Sequence, residues 1–374
     1  MKKLFPTFRK KTRDPETLSL TALILLGFSV LSLIIVIVAR HNASFADFFN
    51  SRIGSVVRWI LAKLTAPFPF SFAEFALLLL PVSLFLILRH AAKRGLKTTR
   101  SVIVYTVSLL SAVSMIFSLF VWSFGTGYYV PTLDKKLELK KENVSAIQLK
   151  DTAAWLSDEL SSITESVIFG ADGASVMPYS LSEMNDKLIQ SYRKLGEKYP
   201  FIQQFNSRVK PVMGSKLMSY AHLTGVYTFF TGEANLNVDF PDYTLPYTAA
   251  HELAHQRGVA RENEANFLAF LVCIESDDPY LRYSGYMNLY EYVMNALYAA
   301  DAEMYQQIRS IRCPAVSGEM KAYAIFYETY RDSTAGKINN TVNNAFLQAN
   351  GESEGTRSYG LVVDLAVAYF EAKK

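Results

Sequence analysis

His251, Glu252 and His255 stand in the spacing H-E-x-x-H. On an α-helix, residues i and i+4 lie one turn apart on the same face, so the two imidazoles can reach a single cation. Glu252 projects about 100° around the helix from His251, where a carboxylate can meet a water beside the metal without becoming its tightest ligand. Two neutral nitrogens to hold Zn²⁺, a metal to acidify a water and a glutamate to take the proton are the parts of metal-assisted hydrolysis. The chain contains only five histidines, His41, His90, His222, His251 and His255, which makes an accidental match to so short a pattern less frequent.

A catalytic zinc usually has three protein ligands and one open position. Gly258 can take the left-handed conformation that ends a helix, so the chain can turn back within a few residues. Glu262-Asn-Glu-Ala-Asn266, followed by an apolar run, reads as a second helix. Glu262 and Asn266 share a face there, while Glu264 points about 200° away. Glu262 is the expected third ligand, Glu264 the alternative, and Asn266 is expected to orient a histidine from behind. The two cysteines, Cys273 and Cys313, form no C-x-x-C pair and are not expected to bind the metal. They are read as one disulfide or as two buried thiols.

The Glu262-x-x-Ala265-Asn266 segment resembles the glutamate helix of the gluzincin metallopeptidases, although most gluzincins separate the two motifs by more than a short turn. The wider context resembles a family of bacterial membrane-anchored zinc peptidases. Gly232-Glu-Ala-Asn235-x-Asn237 precedes His251-Glu-Leu-Ala-His-Gln256, and Glu264-Ala-Asn-Phe267 follows. The likeness is specific over about Lys210 to Tyr286 and looser in the apolar amino-terminal part. It implies a zincin-like domain, a bound Zn²⁺ and hydrolysis of a peptide or protein substrate, and it names no substrate.

The elements that must carry this site begin in a membrane. Half of the 374 residues are hydrophobic, and the net charge is only +4. Mean hydropathy is positive, which fits a membrane protein with a folded domain attached. Three uncharged or nearly uncharged runs, about 17–39, 71–88 and 101–122, are long enough to span a bilayer as helices. A cleavable signal peptide is the rival for the first, but the run is longer than a normal apolar region and lacks a good cleavage site. Glu74, near the start of the second run, is expected in the headgroup zone. Residues 44–66 alternate Phe, Ile and Val with Asp47, Arg52, Arg58 and Lys63. They read as an amphipathic helix lying on the membrane or packed against the domain.

Basic segments before the first span and between the second and third (Lys2 to Arg13, Arg89 to Arg100) mark the cytoplasmic side. The amino terminus is then inside and everything after the third span outside a bacterial cell membrane. These basic segments suit lipid headgroups, and nucleic acid is not an expected partner. Residues 1–130 are therefore read as the anchor and 131–374 as the extracytoplasmic domain.

The expected fold is mainly α: three transmembrane helices followed by an α+β, zincin-like domain with a small sheet. Helices are expected over Leu149–Ile168, from a capping box at Ser180-Leu-Ser-Glu183 to about Lys198, and after an Asp278-Pro279 start. Val226–Phe230 and Leu236–Phe240 read as short strands just before the metal helix. An open strand there could pair with an extended peptide. Asn235 and Asn237 would then line the cleft, or else satisfy their own turn. Tyr283, Tyr286 and His222 are candidates to stabilise an oxyanion, with nothing in the sequence to choose among them.

The leading expectation is a membrane-anchored zinc metallopeptidase in which His251, His255 and Glu262 bind Zn²⁺ and Glu252 is the general base. The alternative is a membrane-bound binding or sensor protein whose zinc is structural or lost. Proteolysis inside the bilayer is disfavoured, because the segments flanking the H-E-x-x-H helix are too polar.

Overall fold

The computed structural model describes residues 17–94, 96–355 and 360–374. The basic residues Lys2 to Arg13 of the sequence argument lie outside them. In chain order the helices are α1 (Leu20–His41), α2 (Ala43–Phe48), α3 (Ser55–Thr65), α4 (Phe72–Arg94), α5 (Thr99–Ser123), α6 (Leu133–Lys136), α7 (Ala146–Ile163), α8 (Leu181–Lys198), α9 (Ser215–Tyr220), α10 (Thr244–Gln256), α11 (Glu262–Ile274), α12 (Pro279–Ala300), α13 (Ala302–Ile311), α14 (Pro314–Glu328), α15 (Thr334–Ala349) and α16 (Val362–Glu371). Three strands, β1 (Lys210–Pro211), β2 (Gly225–Thr228) and β3 (Glu233–Leu236), form the one sheet among the described residues.

Among the described residues three helices, α1, α4 and α5, are long and apolar enough to cross a membrane. The buried residues of α1 and α5 combine small side chains, Ala22, Ser32, Ala39, Ser111 and Ser118 among them, with Ile35 and Val121, and small and hydroxyl residues let lipid-embedded helices approach closely and bond. Ser29 donates to the Ser114 hydroxyl (2.7 Å), and the Trp122 indole donates to Ser32 (3.1 Å). The leucines of α4 stay exposed, which is the surface a bilayer would cover.

Residues 43–65 form α2, a six-residue π-helical turn (Phe49–Gly54) and α3. One face of this stretch is fixed to the carboxy-terminal part of the chain through the buried Arg58, while Val56, Trp59, Ile60 and Leu64 remain exposed on the other. Glu74 accepts hydrogen bonds from the backbone N–H of Met213 and Gly214 (3.0 and 2.9 Å), so it joins the second apolar helix to the segment before α9. Glu233, at the start of β3, accepts from the N–H groups of Phe72 and Ala73 in the first turn of α4. A carboxylate is stabilised there by the unpaired donors and the helix dipole. Lys210 completes this knot with a 2.7 Å ion pair to Glu233 and hydrogen bonds to the Thr65 and Phe70 carbonyls.

The core lies around α7, α10, α11 and α12. Capping residues open its helices where the sequence places them: Ser180 and Glu183 form a reciprocal capping box on α8, and Asp278 caps α12 with proline in the first turn. The helix expected over Leu149–Ile168 runs instead from Ala146 to Ile163, because Ser145 and Gln148 make an earlier capping box. Both cysteines are free thiols; burial pushes that of Cys273 well up.

The second strand is displaced from its expected position, beginning at Glu233 and ending at Leu236. Thr231 and Gly232 both return their N–H groups to the Thr228 carbonyl, and Gly232 takes a positive φ of 70°. The hairpin therefore closes one residue before Glu233. Asn237 leaves the ladder by accepting the Asp239 N–H on its own side-chain oxygen. The pairing order is β1-β3-β2, with β1 parallel and β2 antiparallel to β3, which leaves β2 with one neighbour.

Candidate metal centre

The turn between α10 and α11 is built by sequence-local forces. Gly258, at φ 90°, returns its N–H to the His255 carbonyl while Val259 returns its own to Ala254. This is the Schellman arrangement, whose left-handed position favours a residue without Cβ. It also sets the imidazole. His255 Nδ1 lies 2.7 Å from the Val259 carbonyl, so it holds its proton there, and Nε2 is the nitrogen that turns to the metal position and gives up its proton to bind.

The turn brings α11 back against α10 and delivers Glu262. Its Oε2 lies 3.2 Å from His251 Nε2 and 3.4 Å from His255 Nε2. This is the one group of three such ligating side chains found among the described residues. Those contacts lack hydrogen-bond geometry, so the buried Glu262 Oε2 has no hydrogen-bond partner, and neither has His251 Nδ1. Neighbouring ligands of a tetrahedral zinc with bonds of about 2.0–2.1 Å stand about 3.3 Å apart. The donor set, its spacing and the stranded oxygen fit a zinc ion held by His251, His255 and Glu262.

Electrostatics at the cluster are strongly coupled. Burial disfavours the charged form of His255, but the Glu262 carboxylate outweighs it and lifts the imidazole to about 9. Burial likewise opposes charge on Glu262, and the two imidazoles overcome it, holding the carboxyl well below the usual range. Glu252 is raised, chiefly by burial, with His251 and His255 countering in part. A base of raised pKa is better matched to taking a proton from water near neutrality.

Glu252 rests against the outer edge of β2. The Tyr227 N–H donates to it, and a Cβ at Gly225 would stand 2.6 Å from its Oε1. Only glycine at 225 lets the strand approach so closely. The edge strand and the carboxylate are thus neighbours, as the sequence order suggests.

Other expected site residues lie elsewhere or do other work. Glu264 is consumed by the Leu133 N–H (3.0 Å) and Arg261 (2.9 Å), which leaves Glu262 to face the imidazoles. The Asn266 amide bonds to neither histidine; its nitrogen stands 3.5 Å from the Tyr292 hydroxyl. Asn235 and Asn237 point into the interior and not into a cleft. Asn235 donates to the Val226 carbonyl (3.1 Å) and Asn237 to Leu223 (2.8 Å), so they tie the hairpin and loop together. Tyr283 donates to Glu319, and His222 meets the Tyr330 carbonyl at 2.8 Å. Tyr286 packs on Trp155 and Phe270. None of the three has a contact with the cluster.

Two supports come from the amino-terminal third, where a reading of motifs had no reason to look. Phe124, just past α5, sets its ring edge-on to His255 at 5.7 Å. Asn50 donates to the Gly258 carbonyl (3.0 Å) and is itself held by Arg58. Arg58 further donates to the carbonyls of Ser123 and Asn50 and to Gln203. Burial lowers this guanidinium to about 10, and no carboxylate offsets it. The helix-ending turn is thereby clamped from the loop between the first two apolar helices.

No curated protein and no solved structure matches the chain. A family model described as "Protein of unknown function (DUF3810)" matches residues 49–367. It takes in the Arg58 clamp, the second and third apolar helices, the sheet and the metal cluster. By that match the chain belongs to the DUF3810 family.

Proposed function

We propose that this protein is a membrane-anchored zinc metallopeptidase with a zincin-like catalytic domain, its amino terminus cytoplasmic and its site on the outer face of a bacterial membrane. The observation that carries this reading is the convergence of His251 Nε2, His255 Nε2 and Glu262 Oε2, with Glu262 Oε2 otherwise unpartnered, beside a raised Glu252. A bound Zn²⁺ supplies Lewis acidity and a more acidic water. Glu252 takes the proton of the attacking water and passes it to the leaving amine nitrogen as the C–N bond breaks. The outer edge of β2, which pairs with no other strand among the described residues and meets Glu252 at Gly225 and Tyr227, would offer an extended substrate its remaining backbone groups next to that carboxylate. The contact of Phe124 with His255 sets the reaction close to the end of α5, which suits substrates held at the bilayer surface.

The burial of all three ligands favours the second reading, a structural zinc in a binding or sensor protein. Against it, His251 lines a cavity, so the cluster is not sealed. The test uses the full-length protein in detergent. Metal content and cleavage of a peptide library are compared for the parent, Glu252→Gln and His255→Ala. The expected result is a metal-bound but inactive Glu252→Gln and a metal-depleted His255→Ala. Equal metal in the parent and His255→Ala would refute the site, and parental cleavage by Glu252→Gln would refute the base.

A further inference from the structure

A cavity of about 260 Å³ opens between α10, α12 and α14, with His251 and Asn266 in its wall at the metal end. The α12 wall is unlike the rest of that helix. Asn288, Glu291, Tyr292 and Asn295 fall at i, i+3, i+4 and i+7, one helical stripe, and all four line the cavity. Elsewhere α12 buries Leu289, Val293, Met294 and Leu297 in the core. Asn288, Glu291 and Tyr292 are half-buried and Asn295 is exposed, so this stripe turns to the cavity and its mouth while the other faces of the helix fill the core.

Glu291 is the single carboxylate among the lining residues, and no lysine or arginine lines the cavity with it. Its Oε1 accepts from the Tyr243 hydroxyl at 2.7 Å. Burial lifts the carboxyl to about 7, the Tyr243 hydrogen bond countering and Glu319 adding to the rise. Tyr243, Tyr292 and Tyr323 place phenol rings in the same walls. A carboxylate with aromatic rings in a partly desolvated cavity suits an ammonium or guanidinium ligand, through a charge-assisted hydrogen bond and cation–π attraction.

We propose that this cavity is the specificity pocket of the site and takes a lysine or arginine side chain from the substrate residue beside the scissile bond, with Glu291 as its counter-ion. This rests on the metallopeptidase reading, since His251 is what joins the cavity to the chemistry. Glu291 sets the charge preference. Glu291 is a binding residue and takes no part in the proton transfers.

The test separates the pocket from the reaction by measuring binding. Lysine hydroxamate and norleucine hydroxamate share a metal-chelating group and differ at the side-chain tip by the ammonium alone. On the zinc-loaded, full-length protein the lysine compound should bind about tenfold tighter or more, the scale of a charge-assisted contact. Glu291→Gln, which keeps an acceptor for Tyr243, should weaken the lysine compound to the level of the norleucine compound and leave the latter unchanged. Equal affinities in the parent, or a lysine preference that survives Glu291→Gln, would overturn the pocket assignment. If the protein holds no zinc and binds neither hydroxamate, the metallopeptidase reading fails instead. In that case n-butylamine against n-butanol decides the pocket: stabilisation of the parent by the amine alone, lost in Glu291→Gln, upholds a cation site, and no stabilisation refutes it.

Discussion

Replacing Arg58 with methionine should loosen the metal site from a distance. Arg58 has no exposed surface and donates to four oxygens, Asn50 Oδ1, Asn50 O, Ser123 O and Gln203 Oε1. Methionine fills similar volume and donates nothing. The Ser123 and Asn50 carbonyls are then left in the interior, each stranded acceptor costing about 1–3 kcal/mol. Burying a guanidinium is itself unfavourable, as the drop to about 10 shows, and relief of that burden offsets part of the loss. The net expectation is about 3 kcal/mol, which for a single cooperative unit as long as this chain lowers Tm by about 4 °C. Asn50, freed from Arg58, no longer holds the Gly258 carbonyl. The His255 imidazole, fixed by the next carbonyl along, then loses orientation, and zinc affinity should fall by about 10–100-fold, the usual effect of removing groups that orient ligands. Thermal unfolding and zinc titration of the full-length protein read both quantities. Asn50→Ala, which removes the contact to Gly258 and leaves Arg58 in place, should reproduce the affinity loss with a smaller Tm change. Unchanged Tm and unchanged affinity in Arg58→Met would show that the clamp does nothing for the site.

Glu262→Gln should cut zinc affinity by about 100-fold or more, beyond the range for orienting groups, while Glu264→Gln should lower Tm and leave affinity within threefold; the reverse pattern in a zinc titration would reassign the third ligand. Proton linkage gives a second check. The folded pKa of His255, about 9, lies above its ordinary 6.5, so in the metal-free protein its stabilisation is complete below about pH 6.5 and is lost as pH rises through about 9. Zinc must displace that proton, so binding near pH 7.5 should release about one proton, measured by calorimetry in buffers of different ionisation enthalpy. Binding heats that do not vary with buffer would contradict it.

The parts of this structure that could be foreseen are those set by near neighbours in sequence. A helix ended by Gly258 and restarted at Glu262 brings Glu262 to the two imidazoles within a dozen residues, and 3.6-residue periodicity favours it over Glu264, which stays open until the Leu133 and Arg261 contacts of Glu264 are seen. The apolar helices and the Ser180 and Asp278 caps are equally local. What could not be foreseen depends on contacts across the chain. Arg58 reads as the solvated face of an amphipathic helix, yet its hydrogen bonds reach residues 65 and 145 positions away. Strand β1 is two residues long and pairs in parallel with β3, too short for any alternation to register. Asn235 and Asn237 stand in a motif-like segment ahead of the metal helix, but the ladder and the turn absorb both amides. Glu291 sits in an aromatic-rich helix where a lone acid suggests a surface position, and only the packing of α10 and α14 beside it makes a cavity.

The change in composition near Pro131 invites the view that residues 131–374 fold alone, and the contacts crossing that point argue against a clean division. Truncation there would remove the Asn50 donor from the Gly258 carbonyl, the Phe124 ring from His255 and the Phe72 and Ala73 N–H groups from Glu233. Lys210 would lose the Thr65 and Phe70 carbonyls, and Arg261 those of Tyr128 and Val130. At about 1 kcal/mol net for each of these seven hydrogen bonds, the loss is comparable with the whole stability of an ordinary domain, about 5–15 kcal/mol. Water replaces the partners of the newly exposed groups, but nothing replaces the constraint on the Gly258 turn. The truncated chain should therefore bind zinc more weakly than Arg58→Met and unfold without a sharp thermal transition. Cooperative unfolding at the parental temperature, with parental zinc affinity, would show that the apolar helices only tether the site and do not help to build it.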